Sequence, residues 1–147
     1  MGNPKNIFGD AETPFKLGVL ELSTRACKVL IADVRNLQDG FTWNACENRS
    51  FLTELGQLVT LQGEIPWDDF EELVLPKIQL GRDFLRQHNV DVFHCVATAA
   101  LRGANNREFI LQKLKDLLDL NVQILDRNDE AEATFSAFRW YLPQNID

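Results

Sequence analysis

The residues best placed to do chemistry lie in the stretch Val96-Ala97-Thr98-Ala99-Ala100-Leu101-Arg102-Gly103-Ala104-Asn105-Asn106. An apolar run over residues 92–97 gives way to small residues, then to one arginine, then to a helix start. Asn105 and Glu108 have the spacing of a capping box, worth about 1 kcal/mol to the helix behind it. A strand that enters a helix through small residues leaves free backbone N–H groups at the helix N-terminus. Those groups from Ala104 to Asn106, the Thr98 hydroxyl and the two-pronged guanidinium of Arg102 suit a phosphate. Spacing alone favours the plainer account, a strand-to-helix turn whose Arg102 is structural and pairs with a carboxylate such as Asp126 or Glu130.

Other polar residues read more simply. Asp129, Glu130 and Glu132 fall in the first turn of a later helix, where acidic residues complement the helix dipole. Asp68, Asp69, Glu71 and Glu72 follow Pro66 at another helix start and read as a solvated face rather than a metal site. His94 sits inside an apolar strand and reads as a core histidine. Cys27, Cys46 and Cys95 are an odd count without metal-ligand spacing, and read as buried, reduced thiols.

These residues need elements to hold them. Residues 17–23 and 27–34 are apolar runs joined by Thr24-Arg25-Ala26, which predicts an antiparallel hairpin. Phe41, Trp43 and Ala45 alternate with Thr42, Asn44 and Cys46, predicting a half-buried third strand after a turn over residues 36–40. Residues 51–63 carry no clear period. Pro66 fits the first position of a helix whose apolar stripe includes Trp67, Phe70, Val74, Ile78 and Leu85, with a kink or break expected near Leu75 because of Pro76. Residues 90–97 read as a strand buried on both faces. Phe109, Ile110, Leu114, Leu117 and Leu118 are the expected core face of the second helix, and Asn121 its left-handed terminus. Residues 122–125 form a fifth strand and residues 128–142 a third helix. Residues 1–16, polar with two prolines, read as a flexible arm before one domain over residues 17–147.

The bulk properties exclude some functions. A chain of 147 residues with 45% apolar and 25% charged residues is an ordinary globular domain. A net charge of −7 argues against general binding to nucleic acid or anionic membranes, and no apolar run is long enough for a membrane span. The expectation is a cytoplasmic protein.

VATAALRGANN resembles the VATSALR-x-A-x-N signature of the exopolyphosphatase and guanosine pentaphosphate phosphohydrolase (Ppx/GppA) family, within the actin-like ATPase superfamily. Upstream, GVLELSTRACKVLIADV stands where that family has IDLGSNS; downstream, VQILDRNDEAEATFSAF stands where it has IEVISGEEEA. The resemblance implies an α/β fold: a single ribonuclease-H-like half of the actin-like ATPase architecture, a five-stranded mixed sheet flanked by helices in the order βββαβαβα. It also implies hydrolysis of terminal phosphoanhydrides with a divalent cation, usually magnesium. By position, Glu21 would help hold the metal, Glu130 would be the catalytic base, and Thr98, Arg102 and Asn106 would contact phosphate.

Two family glycines differ. Arg25 and Arg127 stand in their places, either as new phosphate contacts or, the favoured account, as surface residues filling space that substrate no longer uses. The chain ends at Asp147, where the family would begin its second half with a DIGGGS phosphate loop. The expectation is therefore a catalytically incompetent, stand-alone first domain serving as a binding or regulatory module with a residual phosphate site. The alternative is a hydrolase whose cleft is completed by self-association or a separate chain. A homodimer or a dedicated partner is expected at the surface that faces the second half in relatives, with Phe135, Phe138, Trp140 and Tyr141 as candidates for the contact.

Overall fold

A computed structural model describes residues 14–37 and 40–141, with side chains described except at residues 36, 37, 40, 41 and 137–141. Five strands form one mixed sheet in the order β3-β2-β1-β4-β5. The strands are β1 (Phe15–Leu22), β2 (Ala26–Leu37), β3 (Gly40–Leu52), β4 (Val92–Ala97) and β5 (Val122–Ile124). The predicted hairpin is present: β1 and β2 pair antiparallel from Phe15↔Val34 to Leu22↔Cys27. β4 is parallel to both β1 and β5, so it lies inside the sheet as expected. β1 begins at Phe15, two residues inside the stretch assigned to the arm; residues 1–13 lie outside the described residues.

β3 runs well beyond residue 46. Its register against β2 shifts between Ile31 and Ala32, which pair with Glu47 and Ala45, so Cys46 is the extra residue of a bulge. The bulge switches which side chains face which side. This ends the alternation of Phe41, Trp43 and Ala45 while the strand continues to Leu52. Cys46 is exposed there, unlike the buried Cys27 and Cys95.

Residues 67–87 are helical throughout: α1 (Trp67–Asp69), a π-helical turn (Phe70–Val74) and α2 (Leu75–Gln87). Pro76 causes no break, because it falls in the first turn of α2, where its missing N–H costs little, and the wide π-turn precedes it. Pro66 is the cap residue rather than the first helical one. Then come α3 (Ala99–Gly103), α4 (Arg107–Leu118) and α5 (Arg127–Tyr141). α2 and α4 cover one face of the sheet. Leu20, Leu22, Cys27, Val29, Cys95 and Ala97 from the strands meet Phe70, Val74, Ile78, Leu85, Ile110 and Leu114 from the helices. The approach is close. A Cβ on Gly81 would stand 3.1 Å from both Cys27 Sγ and Val29 Cγ2.

Four expectations about these elements are corrected. His94 is exposed, because Cys95 and Ala97 present the face that α2 and α4 cover and His94 alternates to the opposite face, so β4 is not buried on both faces. Phe109 and Leu117 are about half exposed; Ile110, Leu114 and Leu118 form the core stripe of α4. Asp119, not Asn121, takes the left-handed position at the end of α4, at φ 54°, and Leu120 N–H returns to the Leu114 carbonyl. The capping box does not form. Asn106 is the cap residue of α4 and its amide is used elsewhere.

Candidate functional site

The carboxyl ends of the three parallel strands are tied together. Thr98 N–H donates to the Leu22 carbonyl at 3.1 Å, and Leu125 N–H donates to the Ala97 carbonyl at 2.9 Å. From this edge leave the β1–β2 turn, the Thr98–α3 corner and the start of α5. Crevices of α/β sheets that bind ligands lie outside such strand ends.

Arg102 is the centre of the corner. Its Nη1 donates to the Leu125 carbonyl at 2.8 Å and to Glu130 Oε2 at 2.9 Å. The Arg102 side chain is 22% exposed and that of Glu130 42%. The arginine thus joins the end of β5 to the first turn of α5, as the plainer sequence account holds. Arg102, Arg127, Glu130, Ala131, Thr134 and Phe135 line an open concavity of about 600 Å³. Arg127, at the start of α5, has no partner among the described residues and is exposed.

The N–H groups assigned to a phosphate are largely committed. Ala104 N–H donates to the Leu101 carbonyl, and Asn105 N–H to the Gly63 carbonyl at 2.7 Å. Asn105 Nδ2 donates to the Gln62 carbonyl. Asn106 clamps Ile65 from both sides: Ile65 N–H donates to Oδ1 at 3.0 Å and Nδ2 donates to the Ile65 carbonyl at 2.7 Å. This places Asn106 against the 62–65 loop rather than in the concavity. Thr98 is buried, and its side chain makes no cap bond to α3.

The start of α5 is likewise occupied. Asp126 Oδ1 accepts the N–H groups of Asn128 and Asp129 at 2.7 and 2.8 Å. A side-chain carboxylate therefore fills the anion position of that helix start. The sequence offered Asp126 only as a candidate partner of Arg102, a place Glu130 takes; its capping role was missed, although an aspartate just before an acidic first turn is a recognisable N-cap pattern. Thr134, whose hydroxyl donates to the Glu130 carbonyl, carried no such signal.

Arg25 and Glu21 belong to the hairpin. Arg25 is 78% exposed in its side chain and stands 3.6 Å from Glu54, while its carbonyl accepts the N–H groups of Thr53 and Glu54. In the turn, Ser23 Oγ is taken up by the backbone of Ala26. Glu21 lies 3.6 Å from its cross-strand neighbour Lys28. Glu21 also raises the pKa of Cys27, but burial is the larger cause; together they push that thiol up to about 12. Burial does the same to Cys95, with Cys27 adding to it, again to about 12.

Magnesium is commonly held by one or two carboxylates together with substrate phosphates and water. Glu21 is already paired with a lysine, and no three His, Cys, Asp or Glu side chains converge among the described residues. These residues supply at most one or two carboxylates at any point, so substrate phosphates and water would have to complete a magnesium site.

No curated protein sequence matches the chain. Solved structures do. One is a Ppx/GppA family member from Aquifex aeolicus, at TM-score 0.75 and 22% identity, covering 88% of this chain and 41% of that one. An exopolyphosphatase from Cytophaga hutchinsonii matches at TM-score 0.75 and 22% identity, over 88% of this chain and 40% of that one. An exopolyphosphatase-like protein follows at TM-score 0.69 and 22% identity, over 82% and 35%. The chain spans about two fifths of the length of the first of these structures, and the likeness bears out the expected half of an actin-like ATPase fold. The Ppx/GppA phosphatase family model matches residues 30–145, most of the sequence. The chain belongs to the Ppx/GppA phosphatase family.

Proposed function

We propose that this domain is a binding or regulatory module of the family, with a residual phosphate site at Arg102 and Arg127, and that it does not hydrolyse phosphoanhydrides by itself. The observation that carries the reading is the Arg102–Glu130 ion pair at 2.9 Å. The residue assigned to phosphate and the residue assigned to the base neutralise each other. An incoming phosphate must compete with Glu130 for the guanidinium, and a water molecule must compete with Arg102 for the Glu130 carboxylate. Among the described residues, Arg127 is the cation left available in the concavity, so a small phosphoryl group would meet it first. Net charge of −7 opposes long polyanions. No helix among the described residues is long and apolar enough to cross a membrane. A cytoplasmic setting, where unpaired thiols stay reduced, is part of the proposal.

A second reading is hydrolysis once the cleft is completed by another domain or chain. It is favoured by the convergence of the β1, β4 and β5 ends, which bring the Thr98–α3 corner, the start of α5 and the Glu21 strand to one edge. In that case a partner would dock beside α5, where Phe135 is 63% exposed; Phe138, Trp140 and Tyr141 lie outside the described side chains.

The deciding experiment is phosphate release from polyphosphate and guanosine pentaphosphate with magnesium, paired with a titration of inorganic phosphate followed by NMR. The expected result is no release above a no-enzyme control and weak, salt-sensitive shifts near Arg127. Release by the isolated chain that disappears in Glu130→Gln would overturn the first reading.

A further inference from the structure

β3 is a sheet edge of an uncommon kind. It is 13 residues long, contains neither proline nor lysine, and is exposed on both faces from Thr42 to Ser50. Native edge strands are normally short, or guarded by charged side chains, proline, a bulge or a covering element; β3 has one bulge and, over 13 residues, only the opposite charges Glu47 and Arg49. Among the described residues, β3 has a neighbour only on its β2 side, so the other side presents unpaired backbone groups. The bulge at Cys46 interrupts it once, and the segment after the bulge is regular as far as Leu52.

Apolar surface flanks this edge. Phe84 of α2 lies under Arg49 of β3, with the guanidinium carbon 5.3 Å from the ring centre. Leu80 is one turn before Phe84 and therefore faces the same flank; Leu73 precedes it by two turns. Both leucines are exposed, at 55% and 47%. A strand added to β3 would be covered by them.

We propose that β3 pairs antiparallel with the β3 of a second copy of this chain, joining two sheets across a two-fold axis at Asn48. The charge pattern selects this occupant. Glu47 and Arg49 pair with Ile31 and Val29 of β2, so they lie on one face, the face on which α2 packs further into the sheet, and both remain exposed. In a two-fold antiparallel pair centred on residue 48, Glu47 of each copy stands opposite Arg49 of the other. Opposite charges at directly facing positions stabilise such a pair, while like charges there disrupt it. A partner of one sign would satisfy only half of this alternation. A second copy satisfies all of it, and the local charges cancel despite the overall −7. The interface lies at the opposite edge of the sheet from β5, so it leaves the Arg102 concavity open.

The test is sedimentation equilibrium on the full chain with a charge swap. The wild type should self-associate to a dimer. Glu47→Arg and Arg49→Glu should each weaken the dimer about tenfold or more, because each places like charges opposite twice. An equimolar mixture of the two variants should regain dimer, since both contacts become Arg–Glu. Leu80→Glu should also weaken it without lowering thermal stability. Wild type that stays monomeric at sub-millimolar concentration overturns the proposal. So does a dimer indifferent to both charge variants, or one whose cross-links map to α5 instead.

Discussion

Replacing Arg102 by alanine separates a structural arginine from one held ready for phosphate. The substitution removes two bonds from Nη1, to Glu130 and to the Leu125 carbonyl. Glu130 is 42% exposed, so water screens the ion pair, which is worth about 0.5–1 kcal/mol. The bond to the carbonyl has a charged donor and leaves a half-buried acceptor behind when lost, about 1.5–3 kcal/mol. The sum is about 2–4 kcal/mol, which lowers the melting temperature by on the order of 10 °C for a domain of this size. Glu130→Ala loses only the screened pair and should cost about 0.5–1 kcal/mol. The double variant should then be close to Arg102→Ala alone, with a coupling of about 0.5–1 kcal/mol. Thermal and urea unfolding followed by circular dichroism, at low and high salt, would read these values. Salt should shrink the coupling and leave the carbonyl contribution. An Arg102→Ala protein melting within a degree or two of wild type, yet blind to phosphate, would refute the reasoning. Arg102 would then be a ligand-binding residue with no role in holding β5 to α5.

The remaining expectations rest on other contacts. Asn106→Ala leaves both backbone groups of Ile65 without their partner, and should cost about 2 kcal/mol in urea unfolding; a purely phosphate-binding Asn106 would leave stability unchanged. Gly81→Leu should destabilise by about 1–3 kcal/mol or more by forcing α2 off the sheet, whereas Gly103→Ala, with open space around its Cβ position, should be neutral or stabilising; equal melting temperatures for the two would discredit the packing. Cys27 and Cys95 have folded pKa values raised to about 12, above the ordinary thiol value. Their contribution to stability is fully present below about pH 9 and is lost as pH rises towards 12, at up to about 1.4 kcal/mol per pH unit for each thiol. Comparing wild type with a Cys27→Ala/Cys95→Ala variant across that window isolates the effect, and parallel curves would count against it. In native protein a thiol reagent should label Cys46 and spare the other two.

The order of elements, the β1–β2 hairpin and the interior position of β4 were legible in the sequence because apolar periodicity records which face of each element is buried. The VATAALRGANN motif and its flanks were enough to identify the family, since a run of that kind fits few backbones. Local pattern could not say what lay beside each residue. His94 looks like core until α2 and α4 pack on the other face of β4 and leave it uncovered. Asn105 and Glu108 have capping-box spacing, yet both asparagines face the 62–65 loop, more than forty positions away in the chain. Whether Arg102 met a phosphate or Glu130 was left open for the same reason. The two residues are 28 positions apart, and only the closing of β4, α3, β5 and α5 around one edge brings them to 2.9 Å. Short-range chemistry is written in neighbouring residues, but the partner of a charged side chain is set by how distant segments pack.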